Sequence, residues 1–446
     1  MKKIILSFMF LMLLSLVGCG GKKSMIYLYN FKPESNDSFK EIAQIYKEKT
    51  GIEVKVTTAA SGQYEASLRS EILKSNAPTI FFMNGYVGLS NWREYTYDLK
   101  DTKFYQALTE NGKNMAIKEN DAIYGVPINI EGYGLIYNKT IMQDYFSLEN
   151  KETDLKSLKE VSSFEEFETI VNDLKKYISG EKKTDKESIK NLSNVFATCL
   201  KNGSQWPYQS HLSNLPLFYE FSEKSDNTIA YGLETKTIEF KYFDQFMNMF
   251  DLYINNSVTP KANLNETDYD TAILQFASGK ACFIQQGNWA YGNIVSASSS
   301  VVNAENIDMM PIFIGNNQEN MYSIPVGTEN YWCINKKCSR DQINASIDFI
   351  NWLFTEEDGV KLVSKKLGFI APFNSFNNIS PDNPLSKKVL EYSQSEKKTI
   401  PWTFQSYPSD TFKDLFGAAL VDYTKGSRTK DDVKNIVIGK WKSEKS

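Results

Sequence analysis

The sequence predicts an α/β protein made of two lobes, and three observations support this prediction. Residues 25–83 alternate between strand and helix patterns. The chain of 446 residues is longer than one hydrophobic core usually serves. Residues 124–139 combine strand-forming residues with glycines, as a segment that passes between two bodies would. We therefore expect an α/β protein of two lobes or domains, and residues 124–139 are a candidate for a segment that joins them.

The opening of the chain has the order strand, helix, strand, helix, strand. The predicted segments are residues 25–30, 39–51, 52–57, 64–74 and 80–83. Ser38 is the predicted cap of the first helix, and Gly51 ends it. This order is typical of a parallel sheet that is covered by helices on both faces.

The third strand leads into the sequence NGYVGLSNW, which we predict to be a glycine-bearing loop. Asn84, Tyr86 and Trp92 lie in this stretch. Loops at the carboxyl ends of parallel strands are where ligands bind in open α/β sheets. A solvated turn is the alternative interpretation.

Residues 124–139, with the sequence YGVPINIEGYGLIYNK, are the most informative stretch of the chain. Asn129, Glu131 and Tyr133 occupy alternate positions, so they face one side of an extended segment. Gly132 and Gly134 leave the backbone free to adopt more than one geometry. The stretch is either a hinge that lines a cleft or an internal strand with a bulge.

Later segments alternate long helical patterns with short strands. Residues 180–190 are predicted to be an exposed loop or a frayed helix end, and Trp206 opens a helical region that contains His211. Residues 280–286 predict a strand that delivers Asn288 and Trp289 at its carboxyl end. The remaining predictions are strands at 307–314 and 323–335, a polar crossing at 315–321, and a helix at 340–354.

The first residues match the signal peptide of a bacterial lipoprotein. Lys2 and Lys3 precede an apolar run that ends in the lipobox Leu16-Val17-Gly18-Cys19. We expect residues 1–18 to be removed, Cys19 to be lipidated, and residues 19–24 to form a tether. The protein would then be extracytoplasmic and anchored to the cell membrane. A buried N-terminal helix is the alternative, but the run has no amphipathic period.

Composition narrows the range of partners. The net charge is −4, and losing Lys2 and Lys3 would bring it near −6. The lysine-rich stretches are interrupted by acids, so nucleic acid is not an expected partner. The 7 Trp, 25 Tyr and 28 Phe residues suit core packing first, but also stacking on the C–H faces of sugar rings.

Neither a metal site nor a catalytic set is predicted. Besides Cys19 the chain has four cysteines, and free thiols are favoured over a Cys333–Cys338 disulfide. Because His211 is the one histidine and no CxxC motif occurs, we expect no zinc and no cofactor. Nucleophile and phosphate-binding motifs are absent. A pair of carboxylates for glycan hydrolysis stays open, with Glu131 as the first acid to test.

Several motifs, in order, resemble those of extracytoplasmic solute-binding lipoproteins of ABC importers, in the carbohydrate-binding group that includes maltose-binding protein. They are the strand-helix-strand opening, APTIFFMNGY, YGVPINIEGYGLIYNK, FASGKACFIQQGNWAY, IPVGTENYWCINKKC and FINWLFTEEDGVKLVSKKLGFIAPF. One departure is Thr79, where the family usually has aspartate; it bears on local packing. The resemblance implies a periplasmic-binding-protein-like type II fold, an α/β fold in which hinge crossings join two lobes around a ligand cleft.

The resemblance also implies lobe boundaries. Residues 25–131 plus 315–356 would form the first lobe, and residues 132–314 plus 357–446 the second. The crossing itself would be residues 130–132, with Glu131 facing the cleft and Tyr133 beginning the second lobe.

Ten residues are candidates for ligand contact. By resemblance, Glu131 is a hinge glutamate that contacts sugar, and Trp289 stacks on a sugar ring. Asn84 and Tyr86 fall where the first lobe supplies polar contacts, and Trp206 where the second lobe gives an aromatic platform. The other candidates are Asn288, His211, Glu329, Tyr331 and Trp402.

The expected function is that of the substrate-binding subunit of an ABC sugar importer. The protein would capture a mono- or oligosaccharide outside the cell and deliver it to the membrane permease subunits. It would act as a monomer held to the membrane through Cys19, and not as an enzyme. The alternatives are a secreted lipoprotein enzyme that acts on glycans, and a binding protein for a peptide or polyol.

Overall fold

The structure is a computed structural model that describes residues 25–60 and 62–446. The predictions for the signal peptide, the lipidation of Cys19 and the tether of residues 19–24 lie outside the described residues. Within them, no helix is both long and apolar enough to cross a bilayer.

The strands of the described residues are short and mostly buried. In chain order they are β1 (Ile26–Asn30), β2 (Val54–Thr58), β3 (Ile80–Asn84), β4 (Ile117–Glu119), β5 (Ala122–Pro127), β6 (Glu131–Asn138), β7 (Phe196–Ala197), β8 (Phe283–Gly287), β9 (Ile307–Met310), β10 (Tyr322–Gly327), β11 (Asn330–Ile334) and β12 (Lys398–Ile400).

These strands form two sheets. The first has the order β2-β1-β3-β11-β5-β4, in which β1 lies parallel to β2 and β3 while β11 is antiparallel to β3 and β5. The second has the order β12-β10-β6-β8-β7, and β9 also pairs with β6. We call the first sheet with its helices the first lobe, and the second sheet with its helices the second lobe.

Helices cover both sheets. They are α1 (Asn36–Thr50), α2 (Tyr64–Glu71), α3 (Gly85–Trp92), α4 (Lys103–Gln106), α5 (Glu110–Met115), α6 (Lys139–Phe146), α7 (Phe164–Ile178), α8 (Glu187–Lys190), α9 (Ser213–Ser222), α10 (Thr228–Glu234), α11 (Phe243–Asn255), α12 (Tyr269–Ala277), α13 (Tyr291–Ser296), α14 (Arg340–Thr355), α15 (Glu357–Leu362), α16 (Pro384–Ser393), α17 (Asp410–Thr424) and α18 (Lys430–Lys445). Two π-helices, Pro207–Leu212 and Val363–Leu367, occur among them.

Each lobe has its own core, built by the periodicity of its helices. In α7, Phe164, Phe167, Val171 and Leu174 recur at helical spacing and are buried against the second sheet's core. Ser163 begins this helix by accepting a hydrogen bond from the N–H of Glu166 at 3.3 Å. In the first lobe, strands β1, β3 and β11 pack against α1 and α14 in a separate cluster.

The chain passes between the sheets three times. The first crossing, residues 128–130, joins β5 to β6, and the second, residues 328–329, joins β10 to β11. The third, residues 377–383, leads from the first lobe's core to α16, whose Leu385 and Val389 are buried in the second lobe.

Lobe membership differs from the expected boundaries in three places. Strand β10, expected in the first lobe, belongs to the second sheet. Val360 and Val363, expected in the second lobe, pack in the first lobe's core. Residues 315–321 are not a crossing, because they lead into β10. Glu131 and Gly132 already pair with β10, so the first crossing is two residues earlier than expected.

Four local predictions need correction. NGYVGLSNW is not a loop but helix α3, because Val87, Leu89 and Trp92 bury one face. The first helix begins at Asn36, ahead of the predicted cap Ser38. The strand predicted at 307–314 ends at Met310, since Pro311 cannot continue the ladder. Residues 180–190 end in the short helix α8.

Candidate functional site

The first two crossings lie side by side at the bottom of the cleft. Strand β6 follows the first crossing, β10 precedes the second, and the two strands are hydrogen-bonded neighbours with Glu131 opposite Gly327. The backbone N–H of Gly85, the residue directly after β3, donates to the carbonyl of Glu329 at 3.2 Å. The carboxyl ends of first-lobe strands and the two crossings therefore meet at one place.

Glu131 is held in this place by an ammonium group from the first lobe. Its Oε1 accepts hydrogen bonds from Lys32 Nζ at 2.6 Å and from Asn129 Nδ2 at 3.0 Å, and both Lys32 and Glu131 are 4% exposed. Among the described residues, nothing bonds to the other oxygen, Oε2. Glu131 thus has one fixed oxygen and one that remains available as an acceptor.

Lys32 lies in the loop that follows the carboxyl end of β1. The side chain of Asn30 accepts from the N–H of Lys32 at 3.0 Å and donates to its carbonyl at 2.6 Å, which fixes the backbone. Glu34 approaches Lys32 Nζ at 3.5 Å. Burial disfavours the ammonium form, but the carboxylates of Glu131 and Glu34 outweigh it and raise the pKa of Lys32. Burial also raises the pKa of Glu34, although the ammonium of Lys32 opposes this effect.

Six rings from the second lobe form what we call the aromatic cluster. His211 is at its centre, with ring centroids 4.5 Å from Tyr133, 4.9 Å from Phe404, 5.1 Å from Trp206, 5.5 Å from Trp289 and 5.8 Å from Trp402. Tyr133 and Glu131 are two residues apart on β6, so they share a face of the strand. The aromatic cluster therefore adjoins the Lys32–Glu131 pair.

Two glycines allow the tryptophan rings to lie against the strands. A Cβ atom on Gly287 would fall 2.1 Å from the ring of Trp289, and one on Gly327 would fall 2.7 Å from the ring of Trp402. Trp289 is half-buried, and its Nε1 donates to Gln286 Oε1 at 3.0 Å. Trp402 is 1% exposed, and its Nε1 has no hydrogen-bond partner among the residues that the structure describes, so Trp402 contributes to the cluster as a buried packing residue.

Both polar atoms of the Asn288 side chain form hydrogen bonds within the protein. Its Oδ1 accepts from the N–H of Gly132 at 3.1 Å, and its Nδ2 donates to Ser386 Oγ at 2.9 Å. Its backbone carbonyl accepts from Asn383 Nδ2 at 2.9 Å. These contacts fix the start of β6 against α16, which makes Asn288 a positioning residue for Glu131.

The first-lobe candidates differ in their access to the cleft. The side chain of Asn84 is hydrogen-bonded to that of Glu329, and burial raises the pKa of Glu329 although Lys413 opposes it. Tyr331 is 2% exposed, with its hydroxyl 3.3 Å from both the Thr328 carbonyl and Gln405 Oε1. Tyr86 is half-buried against the first lobe's core.

The two lobes touch at further points besides Lys32 and Glu131. A Cβ atom on Gly62 of the first lobe would lie 2.4 Å from the carbonyl oxygen of Gly203 of the second. Asn91 of α3 donates to Asp410 of α17 at 3.4 Å. The lobes are therefore in contact across the cleft, as in a closed arrangement.

A family model for bacterial extracellular solute-binding proteins matches residues 41–389, which include both of the short crossings. The chain belongs to this family. The match confirms the family that the ordered motifs predicted.

A curated relative and several solved structures are similar to this solute-binding protein. The melibiose/raffinose/stachyose-binding protein MelE of Bacillus subtilis (strain 168) is 30% identical over 155 residues, an alignment that covers 32% of this chain and only 36% of MelE. A chitin oligosaccharide binding protein has a TM-score of 0.73 at 15% identity, and RafE in complex with raffinose a TM-score of 0.68 at 15%, each over 95% of this chain and 100% of the other.

A further solved structure is that of a sugar transporter from Bacillus licheniformis in complex with stachyose. It has a TM-score of 0.67 at 16% identity, over 94% of this chain and 100% of the other. At such identities the similarity concerns the fold. It confirms the predicted type II arrangement of two α/β lobes.

The structure brings the sequence candidates into two groups. Trp206, His211, Trp289 and Trp402 meet in the aromatic cluster. Asn84, Glu329 and Tyr331 meet at the second crossing, on the first-lobe side. Asn288 and Tyr331 are buried, and their side chains form hydrogen bonds within the protein.

Four polar residues of the solute-binding protein's cleft were not singled out from the sequence: Lys32, Glu34, Gln405 and Lys413. A signal for Lys32 and Glu34 does exist, because they directly follow the carboxyl end of the first parallel strand. For Gln405 and Lys413 we find no sequence signal, since they approach the cleft from the last segments of the chain.

Proposed function

We propose that this solute-binding protein is the sugar-binding subunit of an ABC importer. It captures a mono- or oligosaccharide outside the cell, closes its lobes on it, and delivers it to the permease subunits. The observation that carries this proposal is the aromatic cluster beside the Lys32–Glu131 pair. Sugar rings offer apolar C–H faces to aromatic side chains and hydroxyl groups to charged acceptors and donors.

The names of the relatives support a sugar as the ligand. MelE, RafE and the chitin oligosaccharide binding protein are each described as binding an oligosaccharide or solved with one. The proposal includes a lipid anchor at Cys19, in keeping with the lipobox in the sequence. It also includes a monomeric state.

Binding without catalysis is the proposed role of Glu131. Its Oε1 accepts from two donors at 2.6 and 3.0 Å, an arrangement that suits a fixed hydrogen-bond acceptor better than a proton donor. Incubation with labelled oligosaccharides tests this role: product formation at catalytic protein concentrations would contradict it.

A thermal-shift panel of sugars, peptides and polyols tests the proposed ligand class. We expect stabilisation by at least one oligosaccharide, about 2.7 kcal/mol at a hundredfold excess over Kd. Trp289→Ala should weaken binding of that sugar at least about tenfold, because it removes a half-buried ring of the cluster. Tyr97→Ala, which removes an exposed ring of the first lobe, is the matched control and should leave Kd unchanged. Stabilisation by peptides or polyols alone would refute the sugar assignment.

A further inference from the structure

His211 lies in the π-helix Pro207–Leu212 at the centre of the aromatic cluster. A π-helical turn brings a residue beneath the carbonyl five positions earlier, and π-helical turns are frequent at functional sites. Here that geometry places the His211 Nδ1 atom 3.1 Å from the carbonyl oxygen of Trp206. Because a carbonyl oxygen only accepts, Nδ1 carries the proton and Nε2 presents a lone pair.

The Nε2 atom has no hydrogen-bond partner within residues 25–60 and 62–446. The Nε2 atom nevertheless keeps some exposure to solvent, whereas the unpaired Nε1 atom of Trp402 is sealed from solvent. The rings of Trp206, Trp289, Tyr133, Trp402 and Phe404 surround the imidazole. His211 therefore places an unused, accessible acceptor inside an apolar site, where an unsatisfied polar atom is costly.

The imidazole is held in its neutral form. Burial lowers the pKa of His211 to about 3, and the ammonium of Lys413 contributes in the same direction. The other titratable neighbour, the phenol of Tyr133, is neutral because burial raises its pKa well above 10, and its hydroxyl donates to the His211 carbonyl at 2.8 Å. The acceptor at Nε2 is therefore present at all physiological pH values.

We propose that His211 Nε2 accepts a hydrogen bond from one hydroxyl of the sugar ring that packs on Trp206 and Trp289, and so selects sugars that carry a hydroxyl at that position. This inference rests on the proposed function. A site that hydrogen-bonds a particular hydroxyl discriminates strongly against analogues that lack it, because the buried partner is then left unpaired. The aromatic rings supply affinity for a sugar face, and His211 supplies selectivity among sugars.

Two variants separate the Nε2 acceptor from packing. His211→Asn keeps an amide that can donate to the Trp206 carbonyl but removes the acceptor at the Nε2 position. His211→Phe keeps an aromatic ring in the cluster but carries no nitrogen. Kd would be measured by calorimetry for the tightest binder among raffinose, stachyose and chitotriose, and each variant's melting temperature would be recorded.

Both variants should weaken binding by about fivefold or more, as expected for one hydrogen bond in a buried site. The monodeoxy analogues of the bound sugar identify the partner. For one of these analogues, the affinity of the wild-type protein should fall by a similar factor. The affinity of His211→Phe should be the same for that analogue as for the parent sugar. The ratio of the His211→Phe Kd to the wild-type Kd should stay constant from pH 5 to 8.

Three results would overturn the assignment. Unchanged sugar affinity in both folded variants would exclude His211 while leaving the proposed function intact. A Kd ratio that falls towards one below pH 6.5 would show that His211 protonates like an exposed imidazole. Failure of every sugar to bind the wild-type protein would overturn both the assignment and the proposed function.

Discussion

The ammonium of Lys32 lies 2.6 Å from Glu131 Oε1, and this contact joins the first lobe to the first residue of a second-lobe strand. Both side chains are 5% exposed, and Glu34 is the second carboxylate within 4 Å of the ammonium. One short ion pair thus connects the loop after β1 to the residue that directly follows the first crossing, at the floor of the cleft. Its removal should affect folding and binding together.

Lys32→Met should lower the free energy of unfolding by about 3 kcal/mol, because it leaves the buried carboxylate of Glu131 without its partner. Chemical denaturation measures this change. The control is Lys49→Met, since Lys49 also pairs with two carboxylates, Glu356 and Asp358, but on the surface. Solvent screens those pairs, so the control should change stability little. Equal losses in the two variants would contradict the role assigned to the buried pair.

Gly62→Ala should weaken ligand binding by preventing full closure of the lobes. Gly62 has φ +71°, and an added Cβ would meet the carbonyl oxygen of Gly203 at 2.4 Å. Gly426→Ala is the matched control, because Gly426 has φ +72° but, among the described residues, only its own chain neighbours lie within 4 Å of the added Cβ.

Both glycine variants should lose about 1 kcal/mol of stability from the strained backbone. Only Gly62→Ala should raise the Kd for the sugar found in the panel. If Gly426→Ala raised Kd by the same factor, backbone strain and not the contact between lobes would be responsible.

Lowering the pH from 8 to 6 should tighten ligand binding. Burial, and after it the carboxylate of Asp410 in the second lobe, raise the pKa of Glu65 to about 7, although Trp92, Arg69 and Lys413 act in the opposite direction. The raised pKa means that the closed arrangement favours the protonated acid. The contribution of Glu65 to the stability of the closed arrangement is therefore fully present below pH about 4.5, where the acid is protonated in either arrangement. This contribution disappears as the pH rises through 7.

The predicted gain in affinity between pH 8 and 6 is up to about tenfold, as measured by titration calorimetry. Glu65→Gln should bind with little dependence on pH, because an amide cannot ionise. Glu110→Gln, which alters an exposed carboxylate of the first lobe, should keep the wild-type dependence. A wild-type affinity that falls on acidification over this range would show that the sign is wrong.

Gly287→Ala should disturb the position of Trp289 without straining the backbone. Gly287 has an extended backbone that any residue adopts, but the added Cβ would lie 2.1 Å from the indole. Ligand-induced changes in tryptophan fluorescence and the Kd report the displacement, which we expect to cost about tenfold in affinity. Gly292→Ala should bind as the wild type does, because no described residue outside its own helix lies within 4 Å of the added Cβ.

Local patterns predicted the elements but not their partners. The strand and helix alternation of the first lobe was readable because apolar residues recur at periods of two and 3.6. The aromatic cluster was not readable, since Tyr133, Trp206, Trp289 and Trp402 come from four distant segments. The Lys32–Glu131 pair likewise joins residues 99 positions apart.

The crossings show a second kind of failure. A polar, glycine-bearing segment at 315–321 resembled a passage between lobes, yet the chain crosses at residues 328–329 within an apparently continuous strand pattern. Two residues are too few to leave a compositional signal. Helix α3 was missed for a related reason, because its two glycines suggested a loop while tertiary burial of Val87 and Trp92 decided the outcome.

The shortness of the two adjacent crossings determines how the lobes can move. Residues 128–130 span at most about 10 Å when extended, and residues 328–329 span even less, so neither crossing can lengthen by much. The lobes therefore cannot separate or translate past one another. They move relative to each other by rotation about a hinge axis through the two crossings. The mouth of the cleft must then travel farthest while its floor stays nearly still. A sugar would thus be released from the rim inward, with the contacts at Glu131 the last to change.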